Sequence, residues 1–320
     1  MVVHLLHSLP FKGFHLSISP NKQKLVSLSN TSINVFSLNP LLHIGQYKIN
    51  HPTKVAWISD DELYVITSEG KVYLWKQEAL SLIGRWDKAL WSRQSVWFTQ
   101  HGLITTFVNE KKQSYGIAHF DLSDSSSTEI YQCPKDKKVC LAGTKNNLAI
   151  GLMSHNSGST SINTGSIFTL NIESGEERMA PLANKVRFST IADPIFHDDA
   201  YITFPVLQMP PLSFRWERLI TVDLFGHIIA EGDHLPDPWN PVMNNTGSQS
   251  PSNYIATDCG LDPASIALFN KNDLSLVHLI EPNQIWLRRP NNYPSSIVFS
   301  SDNELIVGTW EEILLFRIEH

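Results

Sequence analysis

The chain of 320 residues is 42% hydrophobic and only 18% charged, with 9 Trp, 15 Phe and 8 Tyr, a composition that fills a large core and excludes disorder as the main state. Lys and Arg number 25 against 31 Asp and Glu, a formal net charge of −6; with no overall positive field to hold a phosphate backbone, a nucleic acid partner is not expected. Cys133, Cys140 and Cys259 lack the spacing of a zinc site or a disulfide framework, and the chain has no basic leader and no long uninterrupted apolar run, so a soluble cytoplasmic protein without a membrane span is expected.

In chain order, Val2 to Leu9 reads as a strand standing alone before any repeat. Its His4-Leu5-Leu6-His7 has metal-like spacing only on a helix; on a strand, residues three apart face opposite sides, so two edge histidines are expected rather than a ligand pair. From Ile33 onward a four-residue apolar run recurs at Ile33 to Phe36, Val72 to Trp75, Ile117 to Phe120, Ile167 to Leu170, Leu219 to Val222, Ile266 to Phe269 and Ile313 to Phe316. The copies lie roughly 40–50 residues apart, the period of propeller blades or helical arrays.

Most copies continue through a polar turn, such as Gln77-Glu78-Ala79, Glu173-Ser174-Gly175-Glu176 or Lys271-Asn272-Asp273, into a second short apolar run. Upstream of most lies another turn, such as Ser19-Pro20-Asn21-Lys22, Ser59-Asp60-Asp61-Glu62, Thr144-Lys145-Asn146-Asn147 or Ser300-Ser301-Asp302-Asn303, followed by a β-rich run. Two hairpins per unit make a four-stranded meander, and no capped segment of helical period competes with it. Isolated four-stranded sheets leave both faces wet, and stacking them around an axis removes that exposure.

The phrases Ser59-Asp60-Asp61-Glu62-Leu63-Tyr64-Val65 with Gly70-Lys71-Val72-Tyr73-Leu74-Trp75, and Phe299 to Leu305 with Ile313-Leu314-Leu315-Phe316, resemble WD-repeat β-propeller blades, and the likeness extends over nearly the whole chain. Trp75 alone occupies the family's tryptophan position, with Lys76 after it; Asp121 and Asp223 supply the following aspartate elsewhere, and no repeat opens with the Gly-His dipeptide that opens many family repeats. The chain is therefore read as WD-repeat-like. The expected fold is all-β, one seven-bladed propeller domain over residues 1–320, with Val2 to Leu9 completing the last blade and closing the ring. The Pro-, Asn-, Ser- and Gly-rich stretch from Gly232 to Asn253 hides the innermost strand of the sixth blade.

In such a meander the turns between second and third strands and the connections between blades emerge on one face. That face is expected to gather Trp91 and Arg93, Arg215 and Trp216, Trp239, then Trp286, Arg288, Arg289 and Tyr293, with Trp310 beside them. Trp, Tyr and Arg dominate binding hot spots, which makes this the expected protein-binding surface. The polar stretches from His155 to Gly165 and from Pro241 to Asn253 lack a phosphate-cradling pattern and read as loops of the same face.

Nucleophile-elbow, P-loop and dinucleotide patterns are absent. His197-Asp198-Asp199 stands where other copies have turn residues, and His51, Asp193, His234, Asp237 and Asp258 are not singled out by spacing as axial metal ligands. The resemblance implies a non-catalytic platform for a protein partner, monomeric on its own, with no cofactor or metal. Two alternatives stay open: a bacterial inhibitor or immunity-type protein that neutralises one dedicated partner, and a propeller hydrolase or lactonase with an axial metal.

Overall fold

A computed structural model of the full chain describes every residue except 87–95, 100–101, 110–113, 155–163, 184–185, 187, 189–193, 198–199, 208–215, 234–247, 260–264, 281–293 and 320. The described residues contain twenty-eight strands and no helix. Blade 1 is His15–Ile18, Lys24–Leu28, Ser32–Leu38 and Leu41–Lys48 (β2 to β5), and blade 2 is Pro52–Ser59, Glu62–Thr67, Lys71–Lys76 and Ala79–Arg85 (β6 to β9). Blade 3 is Trp97–Phe98, Gly102–Asn109, Ser114–Asp121 and Ser127–Gln132 (β10 to β13), and blade 4 is Lys138–Lys145, Leu148–Ser154, Gly165–Asn171 and Glu177–Pro181 (β14 to β17). Blade 5 is Ile195–His197, Tyr201–Leu207, Trp216–Asp223 and Ile228–Glu231 (β18 to β21), and blade 6 is Ser248–Gln249, Tyr254–Cys259, Ser265–Asn270 and Leu276–Ile280 (β22 to β25). Blade 7 joins Pro294–Ser301, Glu304–Thr309 and Ile313–Glu319 (β26 to β28) to the N-terminal strand Val2–Leu9 (β1), which pairs antiparallel with β28 from Val2↔Glu319 to Leu9↔Ile313.

The recurring four-residue run is the third strand of each blade, and its logic is the period-two alternation of a strand buried on both faces. Its first residue packs against the following blade: Ile33 meets Val55, Leu63 and Val65 of blade 2, Ile266 meets Ile297 and Leu305 of blade 7, and Ile313 meets Leu16 and Leu25 of blade 1. Its fourth residue points back: Phe36 joins Ile306 and Leu315 of blade 7, Trp75 joins blade 1, and Phe316 joins blade 6. The result is one apolar cluster per blade interface, seven in all, including one between blades 7 and 1. The ring is a closed, seven-bladed β-propeller.

The aspartate after the run has a local task. Asp121 Oδ1 accepts from Ser123 N (2.8 Å) and Asp223 Oδ1 accepts from Phe225 N and His227 N (both 2.9 Å), while Asn171 and Asn270 hold the corresponding turns of blades 4 and 6 in the same way. These are Asx turns, which close the outer hairpin with a side-chain acceptor. The neighbouring turns between first and second strands are stitched across blades. Asp60 accepts from Asn21 N (2.7 Å), and Asp302 accepts from Ser250 Oγ (2.7 Å), Ser252 N (2.9 Å) and Asn253 N (3.2 Å).

One expectation about the first strand is corrected. His4 pairs with Arg317, Leu5 with Phe316 and His7 with Leu315, so Leu6 is a bulge residue. The extra residue resets the alternation, and the two histidines share one side of the strand instead of facing opposite sides. Both are exposed.

Candidate functional site

The face that bears the second-to-third-strand turns and the blade connections is described best at the seam where the chain ends meet. The turn after β27 is held by Thr309: its amide donates to the Glu312 carbonyl (2.9 Å), and its Oγ1 accepts from Glu312 N (3.0 Å) and Glu311 N (3.3 Å). That turn lifts Trp310 to 55% exposure. The segment from β1 to β2 crosses beside it, with Gly13 N donating to the Thr309 carbonyl (2.8 Å) and Ser295 Oγ donating to the Gly13 carbonyl (2.8 Å). Gly13 and Gly308 touch through their backbones; a Cβ on Gly308 would sit 2.2 Å from the Gly13 carbonyl oxygen. Glycine is required at this crossing because the two chains leave no room for a side chain. Phe14 then meets the Trp310 ring edge-on, with centroids 4.9 Å apart at 86°, a favourable aromatic geometry that fixes the indole while leaving much of it in water. Ser8 Oγ donates to Glu312, tying the same turn to β1.

Of the residues predicted to form the binding patch, Trp310 is therefore on the expected face, exposed and oriented by its neighbours. Trp216 opens the third strand of blade 5 at the end nearest that face, opposite Leu207. Trp91, Arg93, Arg215, Trp239, Trp286, Arg288, Arg289 and Tyr293 lie outside the described residues. Other tryptophans are core: Trp86 and Trp75 are each 2% exposed, Trp86 packing on Phe120 with ring centroids 5.3 Å apart.

The axial region holds polar groups that the sequence reading did not single out. Lys54, on the innermost strand of blade 2, is only 4% exposed, and its Nζ donates to Thr105 Oγ1 of blade 3 (3.1 Å). His15, on the innermost strand of blade 1, is half-buried and surrounded by protein; desolvation, reinforced by the Lys54 charge, lowers its pKa to about 4. The one available signal was Lys54 itself, a lysine within the otherwise strand-like run from Pro52 to Ile58.

His197 gains buried partners that its turn position did not announce. It stands at the turn position of the other copies, ending the innermost strand of blade 5 where the hairpin turn begins, with its carbonyl accepting from Ala200 N (3.4 Å); it is 4% exposed, and its Nε2 is 2.7 Å from Thr203 Oγ1, which in turn is 2.7 Å from Thr221 Oγ1. The three residues form a buried polar chain across three strands of blade 5, satisfying one another's hydrogen-bonding capacity. Asp198 and Asp199 lie outside the described residues, as do Asp193, His234 and Asp237. His51 forms a tight turn at φ 50°, its amide donating to the Asn30 carbonyl (2.9 Å), and Asp258 is buried in β23. Among the described residues no three His, Cys, Asp or Glu side chains are grouped as metal ligands would be, and no helix is long and apolar enough to cross a membrane. Cys133 and Cys140 are buried thiols not joined in a disulfide, and burial pushes the Cys133 thiol up to about 12.

No protein-family profile matches the chain, and no curated protein matches it in sequence. Similarity appears at the level of structure. The structure of U3-55K superposes with a TM-score of 0.63 at 11% identity, covering 99% of this chain and 98% of that one. The computationally designed Ika8 protein superposes with a TM-score of 0.60, also at 11% identity, with 98% of each chain covered. At such identity the likeness is one of fold: the class to which this chain is assigned is the seven-bladed β-propeller.

Proposed function

We propose that the chain is a non-catalytic, WD-repeat-like platform, a single propeller domain that works in the cytoplasm by holding a protein partner on the face of the blade connections. The observation that carries this reading is Trp310: a large aromatic, 55% exposed and braced by Phe14 and the Thr309 turn, is the kind of preorganised anchor that binding hot spots use, because little rotamer freedom is lost on contact. The opposite face supports the same choice by contrast. Its turns use Asp60, Asp121, Asp223 and Asp302 to satisfy the protein's own backbone.

The test compares affinity capture from native extract by the wild type and by Trp310→Ala, with Phe225→Ala on the opposite face as control. Phe225 is 75% exposed, so both substitutions leave the core intact. The reading expects a defined partner that is retained by the wild type and the control and lost, by about 2 kcal/mol or more, with Trp310→Ala. An unchanged set of captured proteins, with all three variants folded, refutes the site.

A further inference from the structure

Resting on the connection face as the binding face, we propose that the partner presents a segment rich in carboxylates, and that this segment docks on a basic ledge where blades 1 and 2 meet. Backbone bonds between neighbouring turns build the ledge. In blade 1 the carbonyls of Asn30 and Thr31 accept from His51 N (2.9 Å) and Ile49 N (3.1 Å) of the connection to blade 2, and the His51 carbonyl accepts from Ser68 N (2.9 Å) in the turn between β7 and β8. The Gly70 carbonyl of that turn accepts from Trp86 N (2.8 Å), which places Arg85, the last residue of β9, beside it. Arg85 Nε then donates to the Glu69 carbonyl (3.3 Å), and Lys71 Nζ lies 2.8 Å from Glu69 Oε2.

The bonded segments form one surface with an uneven charge. Lys71, Arg85 and the exposed His51 stand on it, Lys48 marks the same end of β5 opposite Ser32, and Glu69 is the one acid in residues 29–31, 48–51, 68–71 and 85. Lys71, by its hydrogen bond and its charge, and then Arg85 and His51 hold the Glu69 carboxyl below its usual value, so these groups act on a single spot. Arg85 is the informative member. Arg178, Arg218 and Arg317 pair with Glu176, Glu231 and Glu304, whereas Arg85 alone of the described arginines pairs with no carboxylate. Its Nε bond to a backbone carbonyl orients the guanidinium and leaves the two Nη groups to take an incoming carboxylate as a fork.

Charge selects the occupant. The chain carries a net −6, and at the opposite ends of the same two blades Asp60, Asp61, Glu62 and Glu78 outnumber Lys22, Lys24 and Lys76. The ledge reverses that local sign, which steers an acidic segment to this side of the disc. Single carboxylates spaced along an extended chain suit it better than a phosphate dianion, which would meet Glu69 at close range. Blade 7 adjoins blade 1, so a partner seated on Trp310 reaches the ledge across one blade; Glu311 and Glu312, which follow Trp310, confine the acidic segment to the side of blades 1 and 2.

Fluorescence anisotropy with a labelled peptide of about ten residues, alternating Glu and Ser, tests the ledge in about 20–150 mM salt. The expected result is saturable binding that weakens as salt rises and falls by about tenfold or more in Lys71→Gln/Arg85→Gln, a variant that melts as the wild type does. Lys135→Gln/Lys137→Gln removes the same charge from the connection between blades 3 and 4 on the same face and binds the peptide normally. A wild type that shows no saturable binding, equal weakening by the two double variants, or tighter binding of the same peptide with phosphoserine in place of Glu overturns the proposal. If the first double variant fails to fold, Arg85→Gln alone replaces it, and wild-type affinity in that variant overturns the proposal equally. The peptide is measured on purified protein without any captured partner, so failure of the ledge is distinguishable from failure of the Trp310 reading.

Discussion

Deleting Met1 to Leu9 removes the strand that closes the ring, and the structure allows the loss to be sized. β1 pairs with β28 along nearly its whole length, Val3 packs against the core between blades 6 and 7, and Leu6 and Leu9 pack against the core between blades 7 and 1. Taking ~1 kcal/mol for each partly buried apolar side chain and ~0.5–1.5 kcal/mol net for each of about five ladder hydrogen bonds, the strand contributes about 5–10 kcal/mol. That is comparable with the ~5–15 kcal/mol that separates folded from unfolded proteins. The deletion also leaves the β28 edge open beside Leu314, Leu315, Phe316 and Ile318, all buried in the intact protein. The truncated chain is expected to aggregate or to lose its cooperative thermal transition, followed by circular dichroism and size-exclusion chromatography. A synthetic peptide of residues 1–10 supplied at 100 times its dissociation constant should restore about 2.7 kcal/mol by mass action. A truncated chain that melts as the intact one does would refute the closure argument, because it would mean that β1 contributes nothing to the ring.

Gly308→Ala places a Cβ 2.2 Å from the Gly13 carbonyl oxygen and is expected to cost about 1–3 kcal/mol in thermal or denaturant unfolding; no measurable loss would show that the two segments do not cross so closely. His15 has a folded pKa of about 4 against the ordinary histidine value of 6.5, so its contribution is present above pH ~6.5 and is lost as pH falls from there through 4, by up to ~3 kcal/mol. His15→Gln should flatten that part of the stability profile, and an unchanged slope would contradict the buried neutral ring. For Asp302, burial alone would raise the carboxyl, but hydrogen bonds from Ser250, Ser252 and Asn253 outweigh it and hold the pKa below the usual aspartate value. Its contribution is present above the unfolded pKa and is lost as pH falls through the lower folded one, so Asp302→Asn should weaken the protein at neutral pH and shrink the acid-induced loss; a parallel shift at all pH values would refute this.

The blade repeat was legible because the third strand of each blade is buried on both sides and so reads as a mostly apolar run, with at most one polar residue such as Asn34, His119, Thr169 or Thr221 inside it, ending in the residue that fills the space toward the preceding blade. The first strands were harder for a physical reason. Ser248–Gln249 and Trp97–Phe98 are two residues long, and neither length nor composition distinguishes a two-residue strand from the loop that leads to it. Closure by Val2 to Leu9 was readable because an unpaired apolar strand at one end matched a missing strand at the other. Its bulge was not, because inserting Leu6 changes which side chains share a face without leaving any mark in residue type. His197 was readable as a turn position from its place in the repeat, but its buried bonds to Thr203 and Thr221 were not, because those threonines come from other strands.

Trp310 was assigned to the face of the blade connections by strand parity alone, since a turn between second and third strands can emerge on only one side of the ring. Its exposure could not be read that way. Trp86, at the foot of a connection on the same face, is buried against Phe120, whereas Trp310 is held outward because Thr309 bonds both following amides and the Gly13–Gly308 crossing brings Phe14 under only one edge of its ring. The axial pair has the opposite character. His15 and Lys54 come from different blades, each unremarkable in its own repeat, and acquire their perturbed environment only when the ring brings their strands together around the axis. Repetition therefore reveals the scaffold, because every blade solves the same packing problem, but it conceals the individual groups that the closed ring turns toward its seam and its centre.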